Sequence, residues 1–438
     1  MTIQDQEPLP ATARNIEDLP CADDLGLKLG HDTLVPFARH VFAADGPQFM
    51  RTADGDLIVY RNNDLQSFGT APEVGTVPPQ VIFGPAYDAL EAGEPIPGSA
   101  MADVIANQVF AMNPPVHKPM RRTITNRFGP RQVREMEELA WSVTGGIVDT
   151  IDTSVPVDGL DMFSERVTCG FFGRLLGMDS GEIAEMERYI NDFTALFLVP
   201  PTPEHIARYD AAAKGYRALL DNAAQRGVAS DHPFITALTS DLDAVRALNL
   251  PQDASTIGIV PPHAGALLAG NLVDGYHTAA VGVANTLYIL SQQPEALEYI
   301  RADRSLLLPA IFESLRLAPP VIALKRWALE DFEVASLQIP AGTSIVMMWG
   351  LGGFDPERFP DPETFDLKRP RQGSTTFGGG HHLCPGRHLA PMLIQAVIGQ
   401  ILDRQLAFDP EGTHASWIEG SALGQMSHLE IRFRNHES

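Results

Sequence analysis

The segment Phe377–Gly386 reads FGGGHHLCPG and carries the most specific pattern of the chain. Three consecutive glycines allow the backbone to adopt positive φ angles and to approach a neighbouring group closely. Cys384 follows them, just before a helix that the sequence predicts over about 387–404. Because a helix N-terminus favours a thiolate over a thiol, such a cysteine suits a metal ion or nucleophilic chemistry. A buried structural cysteine in a glycine-rich turn is the alternative.

Two other chemistries explain less of this segment. His381, His382, Cys384 and His388 resemble half of a zinc site, but no Cys-x-x-Cys or His-x-x-x-His elsewhere supplies the second pair of ligands. A Cys–His protease pair would not require the three glycines before the cysteine. The chain contains no Walker A loop, no Gly-x-Ser-x-Gly elbow, no Rossmann fingerprint after a strand and no His-Glu-x-x-His motif.

An acidic and a basic residue lie three positions apart in a helix predicted over about 305–317. Glu313 and Arg316 therefore share one helix face. Such pairs are normally solvated, but most of the other residues of this helix are apolar. A charge pair in apolar surroundings must be well hydrogen-bonded to persist. We therefore expect this pair to be hydrogen-bonded.

A basic segment stands out in a chain whose net charge is −23. Lys118–Arg134 contains six lysines or arginines and no acid, and His117 and Arg121 lie four residues apart on one helix face. A solvated helix face is the simplest explanation. The functional explanation is an anion-binding patch, with cofactor carboxylates on one side and an acidic protein partner on the other.

One long apolar helix is predicted over residues 262–290, opened by Pro262 and followed by Pro294. Within it, Gly275–Thr278 combines a helix-weakening glycine with polar side chains. Asp274 lies four residues before Thr278 and shares its face. The polar group either bonds back to the preceding turn or leaves room and hydrogen bonds for a small ligand.

Composition excludes several classes of function. The acidic excess disfavours nucleic acid and anionic membranes as partners, because both require a basic surface. Three cysteines indicate a reducing compartment rather than a disulfide framework. The most apolar stretch, Ala264–Leu290, is interrupted by Asn271, Asp274 and His277, so we expect no membrane span. These features predict a cytoplasmic protein.

The periodicity of the chain predicts a mainly α-helical protein with small β-sheet regions. Residues 1–25 are expected to form a loose acidic tail, and residues 26–438 the main domain. The other predicted elements are helices over 131–226 with a break at Val199–Pro203, strands at Leu57–Tyr60 and within Glu333–Val346, and a long loop at Pro78–Gly98.

Taken together, these features resemble the cytochrome P450 family, of the soluble bacterial type. Phe377–Gly386 matches the haem-binding loop F-G-x-G-x-H-x-C-x-G of that family at every specified position. Glu313 and Arg316 match its E-x-x-R helix. Thr278 precedes Glu313 by 35 residues and Cys384 by 106, which are spacings like those of bacterial members.

Two further segments support the resemblance, which covers roughly residues 30–435. Asn113–His117 with Arg121 is similar to the propionate-binding helix of the family, and Arg326 stands where its strand arginine lies. The resemblance implies a single large helical domain that binds haem b through the Cys384 thiolate. The residues that it implies for cofactor binding are His117, Arg121, Arg326, Phe377, Gly378, His382, Cys384 and Gly386.

The long helix departs from the family pattern at its acid. His277 stands where the family has the acid before the helix threonine, and that acid–alcohol pair helps deliver protons during dioxygen activation. We expect His277 and Thr278 to relay protons here, because histidine can do so near neutral pH. Asp274 or a water chain is the alternative. The family motif can also be aligned in a second register, with its Ala-Gly-x at Ala269–Asn271. This alignment fits the spacing to Pro294 less well.

The resemblance implies a monooxygenase that inserts one oxygen atom from O2 into a small apolar or aromatic substrate, by hydroxylation or oxidative dealkylation. Electrons would come from a separate ferredoxin or flavodoxin-type donor that docks near Lys118–Arg134. A haem-thiolate peroxygenase, or a haem enzyme that catalyses reduction or rearrangement, is the alternative, followed by a haem-based ligand sensor and a zinc protein. The expected pocket residues are Gly275, Tyr276, Val321, Ile322 and Ala323, with residues 78–110 and Phe193–Val199 as the lid.

Overall fold

The computed structural model describes residues 15–26, 29–194, 202–250 and 262–435. Helices dominate these residues, as the sequence predicts. In chain order the α-helices are α1 (His31–Val41), α2 (Asn62–Thr70), α3 (Pro79–Phe83), α4 (Pro85–Glu91), α5 (Ser99–Ala106), α6 (His117–Thr125), α7 (Pro130–Glu135), α8 (Glu137–Val148), α9 (Arg166–Leu175), α10 (Ser180–Thr194), α11 (Pro203–Ala229), α12 (Pro233–Arg246), α13 (Ala264–Ser291), α14 (Pro294–Ala302), α15 (Leu307–Leu317) and α16 (Leu389–Asp403).

The strands of the described residues are short and form four small sheets. They are β1 (Met50–Arg51), β2 (Leu57–Val59), β3 (Val74–Gly75), β4 (Val157–Asp158), β5 (Leu324–Ala328), β6 (Phe332–Val334), β7 (Leu337–Ile339), β8 (Ser344–Met347), β9 (Leu406–Phe408), β10 (His414–Trp417), β11 (Met426–Ile431) and β12 (Phe433–Asn435). The largest sheet has the order β1-β2-β8-β5-β3, in which only β2 and β8 are parallel. The predicted strands at Leu57–Tyr60 and within Glu333–Val346 are confirmed.

The long apolar helix predicted over 262–290 is α13, which runs through the core of the protein. It is apolar on almost every face, as expected for a buried helix. It packs against α9, α11, α15 and α16 and against β11. Helix α15 carries the Glu313–Arg316 pair, and α16 follows the cysteine loop. Helix α13 therefore packs against the helices associated with both motifs.

The Glu313–Arg316 pair is buried and fully hydrogen-bonded, as the sequence analysis requires. The Glu313 carboxylate accepts from Arg316 Nε and Nη2 at 2.8 and 2.7 Å, and from Arg369 Nε at 2.9 Å. Arg316 Nη1 also donates to the main-chain oxygen of Gly353 at 2.9 Å. These bonds fasten α15 to the irregular segment that leads from β8 to the cysteine loop.

The predicted long loop at Pro78–Gly98 is wrong, because α3 and α4 lie within it. Pro79 and Pro85 each take the first position of a helix, where the missing N–H costs nothing and the fixed φ suits the helix. The prolines that suggested a loop therefore begin two short helices, and Gly84, with a φ of +45°, separates them.

The predicted loose tail is also wrong for residues 15–25, while residues 1–14 lie outside the described part of the chain. Ile16 and Leu19 are buried in the cluster that covers the five-stranded sheet. The main-chain N–H of Arg51 donates to the oxygen of Pro20 at 3.0 Å. Among the described helices, none combines the length and the apolar character that a membrane span requires.

Candidate functional site

The loop before α16 owes its shape to its glycines. Gly378 and Gly380 have φ angles of +71° and +62°, which favour glycine. A Cβ atom at Gly380 would overlap the main-chain oxygen of Gly69 at the end of α2, so a larger residue does not fit there. The main-chain N–H of Cys384 donates to the oxygen of Phe377 at 2.9 Å, which closes the loop at the thiol.

The Cys384 thiol lies deep in the protein, although part of the residue remains accessible. Burial raises the pKa of this thiol, and the main-chain N–H of Gly386 and the guanidinium groups of Arg121 and Arg387 lower it. A bound metal cation removes the burial penalty because it binds the thiolate form. Cys384 forms no disulfide and can therefore serve as a metal ligand.

Four basic side chains predicted for cofactor binding lie together beside this loop. The rings of His117 and His382 are stacked with their centroids 4.0 Å apart. Arg121 donates to the main-chain oxygen of Leu383, next to the cysteine. Arg326 is buried and acts on both imidazoles electrostatically. None of the four forms an ion pair with a carboxylate in the described part of the chain.

This arrangement has the chemistry of an anion site. His117 Nε2 and His382 Nδ1 are buried and have no hydrogen-bond partner. Burial, with the neighbouring positive charges, lowers the pKa of His117 to about 4 and of His382 to about 2, and burial lowers the pKa of Arg326 to about 10. Buried like charges are costly without counter-charges. The two propionates of a haem would supply those charges, so the residues fit the group.

Helix α13 carries polar side chains that are partly accessible, and the space between them and Cys384 is called the cleft below. Asp274, His277 and Thr278 lie deep in the protein and are nevertheless partly accessible, as Cys384 is. The charge of the Asp274 carboxyl contributes to the raised pKa of the Cys384 thiol, so the two groups are close enough to interact electrostatically. The hydroxyl of Thr278 donates to the main-chain oxygen of Asp274 at 2.7 Å, which is the bond to the preceding turn that the sequence analysis considered.

Two glutamines from distant parts of the chain bind the titratable groups of this face. Gln108 Nε2 donates to Asp274 Oδ1 at 3.0 Å, and His277 Nε2 bonds to Gln425 Oε1 at 2.8 Å. Burial raises the pKa of Asp274 to about 7 and lowers the pKa of His277. Neither glutamine is predicted from the sequence, because no local sequence pattern indicates a contact between residues more than a hundred positions apart.

The register at Asp274–Thr278 is the one that faces the cleft. Ala269 of the second register is fully buried in the largest hydrophobic cluster. A Cβ atom at Gly270 would lie 2.7 Å from the main-chain carbon of Asn107, so this glycine serves close packing. The structure therefore gives the second register no access to the cysteine loop.

The expected pocket residues separate into two groups. Gly275 and Val321 are partly accessible. Tyr276 is 2% exposed and packs in the core cluster that includes α9, while Ile322 and Ala323 are 0% and 3% exposed in the cluster behind β5. Residues so completely enclosed by protein do not line a ligand pocket. Residues 195–199 of the predicted lid lie outside the described residues.

Comparisons with known proteins identify the relatives of this chain. The family described as Cytochrome P450 matches residues 98–416. The chain is 27% identical over 331 residues to the 6-deoxyerythronolide B hydroxylase of Saccharopolyspora erythraea. The aligned region covers 75% of this chain and 78% of that protein. The chain is 28% identical over 377 residues to the steroid C26-monooxygenase of Mycolicibacterium smegmatis, which covers 83% and 79%.

Solved structures share the fold. The crystal structure of CalO2 has a TM-score of 0.77 at 19% identity and covers 93% of this chain and 97% of that chain. P450BioI, in complex with hexadec-9Z-enoic acid ligated acyl carrier protein, has a TM-score of 0.75 at 17% identity and covers 92% and 100%. At these identities the likeness shows the fold alone.

Proposed function

Because the chain belongs to the cytochrome P450 family and is a haem monooxygenase, we propose that it hydroxylates or oxidatively dealkylates a small, mainly apolar substrate. Dioxygen is the oxidant, and a redox partner supplies the electrons. Residues 26–438 form one haem domain in this proposal. The partner is a separate protein of the ferredoxin or flavodoxin type.

The proposal rests on one observation. The thiol of Cys384, which lies deep in the protein but is partly accessible, is next to four basic side chains that have no acidic partner in the described residues. Cys384 would hold the haem iron through its thiolate, in the loop formed by Phe377, Gly378 and Gly386. His117, Arg121, Arg326 and His382 would bind the propionates. Haem b, when bound, supplies an iron whose thiolate ligand favours O–O cleavage.

Thr278 and His277 are the proposed groups for proton delivery. Both are partly accessible, as Cys384 is, and they are adjacent in sequence. Gln425 fixes one nitrogen of the His277 ring. Burial keeps this imidazole neutral at neutral pH, a form that can accept a proton at one nitrogen and donate from the other. Asp274 is the alternative proton group.

His277→Ala is expected to lower the fraction of electrons recovered in product by about tenfold or more, because a positioned acid–base group contributes roughly 10²–10⁴-fold. The measurement is product formed and hydrogen peroxide released per electron pair, with reduced ferredoxin as donor. His277→Gln is the matched variant, since an amide keeps a bond to Gln425 without an imidazole. Unchanged coupling in His277→Ala would reject the role.

The donor surface is proposed on the outer face of α6. Its inner face carries His117 and Arg121 against the cysteine loop. Lys118 and Arg122, each one position further along the helix, are exposed. Arg131 is paired with Glu135, with their charged atoms 3.2 Å apart, and contributes less net positive charge. Lys118 and Arg122 are therefore the strongest attraction for an acidic donor close to Cys384.

Arg122→Glu should slow reduction of the iron by the donor roughly threefold to tenfold at low ionic strength, with the difference shrinking as salt is added. Stopped-flow reduction kinetics measure this. Arg188→Glu makes the same change in net charge on α10, at a residue 60% exposed, and should have little effect. Equal slowing in both variants would show a general charge effect and would contradict docking at α6.

The choice between dioxygen and peroxide chemistry is made by isotope labelling. A panel of small apolar and aromatic compounds is first screened by the spin-state shift of the iron, and the best binder is then turned over under ¹⁸O2 with reduced ferredoxin. One labelled oxygen atom in the product supports the monooxygenase. Turnover with peroxide but not with ferredoxin supports the peroxygenase, and ligand binding without product supports the sensor.

A further inference from the structure

An acidic side chain lies deep in the site without a positive charge opposite it. Asp274 is the only acid on the cleft-facing part of α13 between residues 264 and 291. In the described residues it forms no ion pair, and Gln108 is its hydrogen-bond partner at 3.0 Å. Tyr216 and Cys384 are the titratable groups that interact with it electrostatically, and neither carries a positive charge.

The position of this carboxyl differs from that of the proposed proton groups. Its helix position is one turn before Thr278, about 6 Å along the axis at 1.5 Å per residue. The Thr278 hydroxyl donates to the main-chain oxygen of Asp274 and not to its carboxyl. The carboxyl is instead bonded to Gln108, which precedes the turn Val109–Ala111. It therefore lies beside the residues that connect α5 to α6.

A buried carboxylate is costly unless a charge or several hydrogen bonds compensate it. The buried guanidinium group of Arg326 does not compensate it, because it lies with His117 and His382 at the proposed propionate site. One amide donor from Gln108 satisfies one oxygen of Asp274. The remaining compensation must come from a proton or from a molecule that enters the cleft.

We propose that Asp274 is the counter-ion for an organic cation, the protonated amine or quaternary ammonium group of an otherwise apolar substrate, and that Gln108 positions its carboxylate. This inference rests on the proposed function, because it assumes that the cleft above Cys384 receives the substrate. The apolar body of the substrate would lie against partly accessible side chains such as Val321. Gln108 is a positioning residue, since it acts through the carboxyl of Asp274.

The test uses two probes of equal shape and different charge, benzyltrimethylammonium and neopentylbenzene, bound to the haem-loaded enzyme. The quaternary nitrogen has no lone pair and cannot bind the iron. We expect Asp274→Asn to weaken the cation by about thirtyfold or more, the loss typical when one partner of a buried charge pair is removed. The neutral probe should bind equally to both proteins in equilibrium dialysis.

Two further variants make the result specific. Asp221→Asn removes an acid that is already paired with Arg217, and it should leave the affinity for the cation unchanged. Gln108→Met keeps the carboxylate but removes its amide donor, and it should weaken the cation less than Asp274→Asn does. The ferrous carbon-monoxide spectrum checks that each variant retains its haem.

Three results would overturn the inference: no binding of the cation to the parent enzyme, equal affinity of parent and Asp274→Asn for the cation, or equal losses for both probes. Loss of coupling in Asp274→Asn with unchanged cation affinity would assign the carboxyl to proton delivery instead. Failure of the proposed function is distinct, because it is the absence of oxygenated product from any bound probe while the affinity for the cation persists.

Discussion

Glu313→Gln is expected to lower the free energy of unfolding by about 3–5 kcal/mol, the usual cost of removing one partner from a buried ion pair. Glu313 is 4% exposed, Arg316 3% and Arg369 8%, so the substitution leaves two buried guanidinium groups facing a neutral amide. The free energy of unfolding of a whole protein is roughly 5–15 kcal/mol. The variant should therefore retain only a small free energy of unfolding at 37 °C. Denaturant unfolding and haem retention measure the effect.

The control is an exposed pair with the same spacing. Asp243 and Arg246 also lie three residues apart in a helix, but they are 64% and 54% exposed. Asp243→Asn should change the stability by less than about 1 kcal/mol, because solvent screens such pairs. If Glu313→Gln costs no more than this control, the buried network does not brace the cysteine loop.

The cysteine loop and the central helix could be predicted from the sequence because local chemistry determines them. Gly380 needs both a positive φ and close contact with Gly69, and no other residue supplies both. Helix α13 is mainly apolar over its 28 residues, which is typical of a buried helix. The loop predicted at Pro78–Gly98 is wrong because the local signal is ambiguous. Proline occurs both where a helix is broken and in the first turn of a helix.

The polar pairs of the site could not be predicted in this way. Asp274 and Gln108 are 166 residues apart, and His277 and Gln425 are 148 residues apart. Their meeting depends on how helices and strands pack, and neither glutamine belongs to a periodic pattern. Arg369, which joins Glu313 across 56 residues, escaped notice for the same reason. The sequence identified the groups that carry charge, and the structure showed what holds each of them.

Cys384→Ala has the second of the two largest expected effects, because it removes the proposed ligand of the iron. The other two cysteines cannot replace it. Cys169 is fully buried between α9 and the core, where burial raises the pKa of its thiol, and Cys21 pairs with the edge of the five-stranded sheet. Cys169→Ala is therefore the matched control, and it should keep the haem and its spectrum.

The carbon-monoxide spectrum of the reduced protein tests the assignment of Cys384 most directly. The parent and Cys169→Ala should show the red-shifted Soret band of a thiolate-bound haem, and Cys384→Ala should lack it. A parent protein without that band, or a Cys384→Ala variant that retains it, would contradict thiolate ligation by this residue.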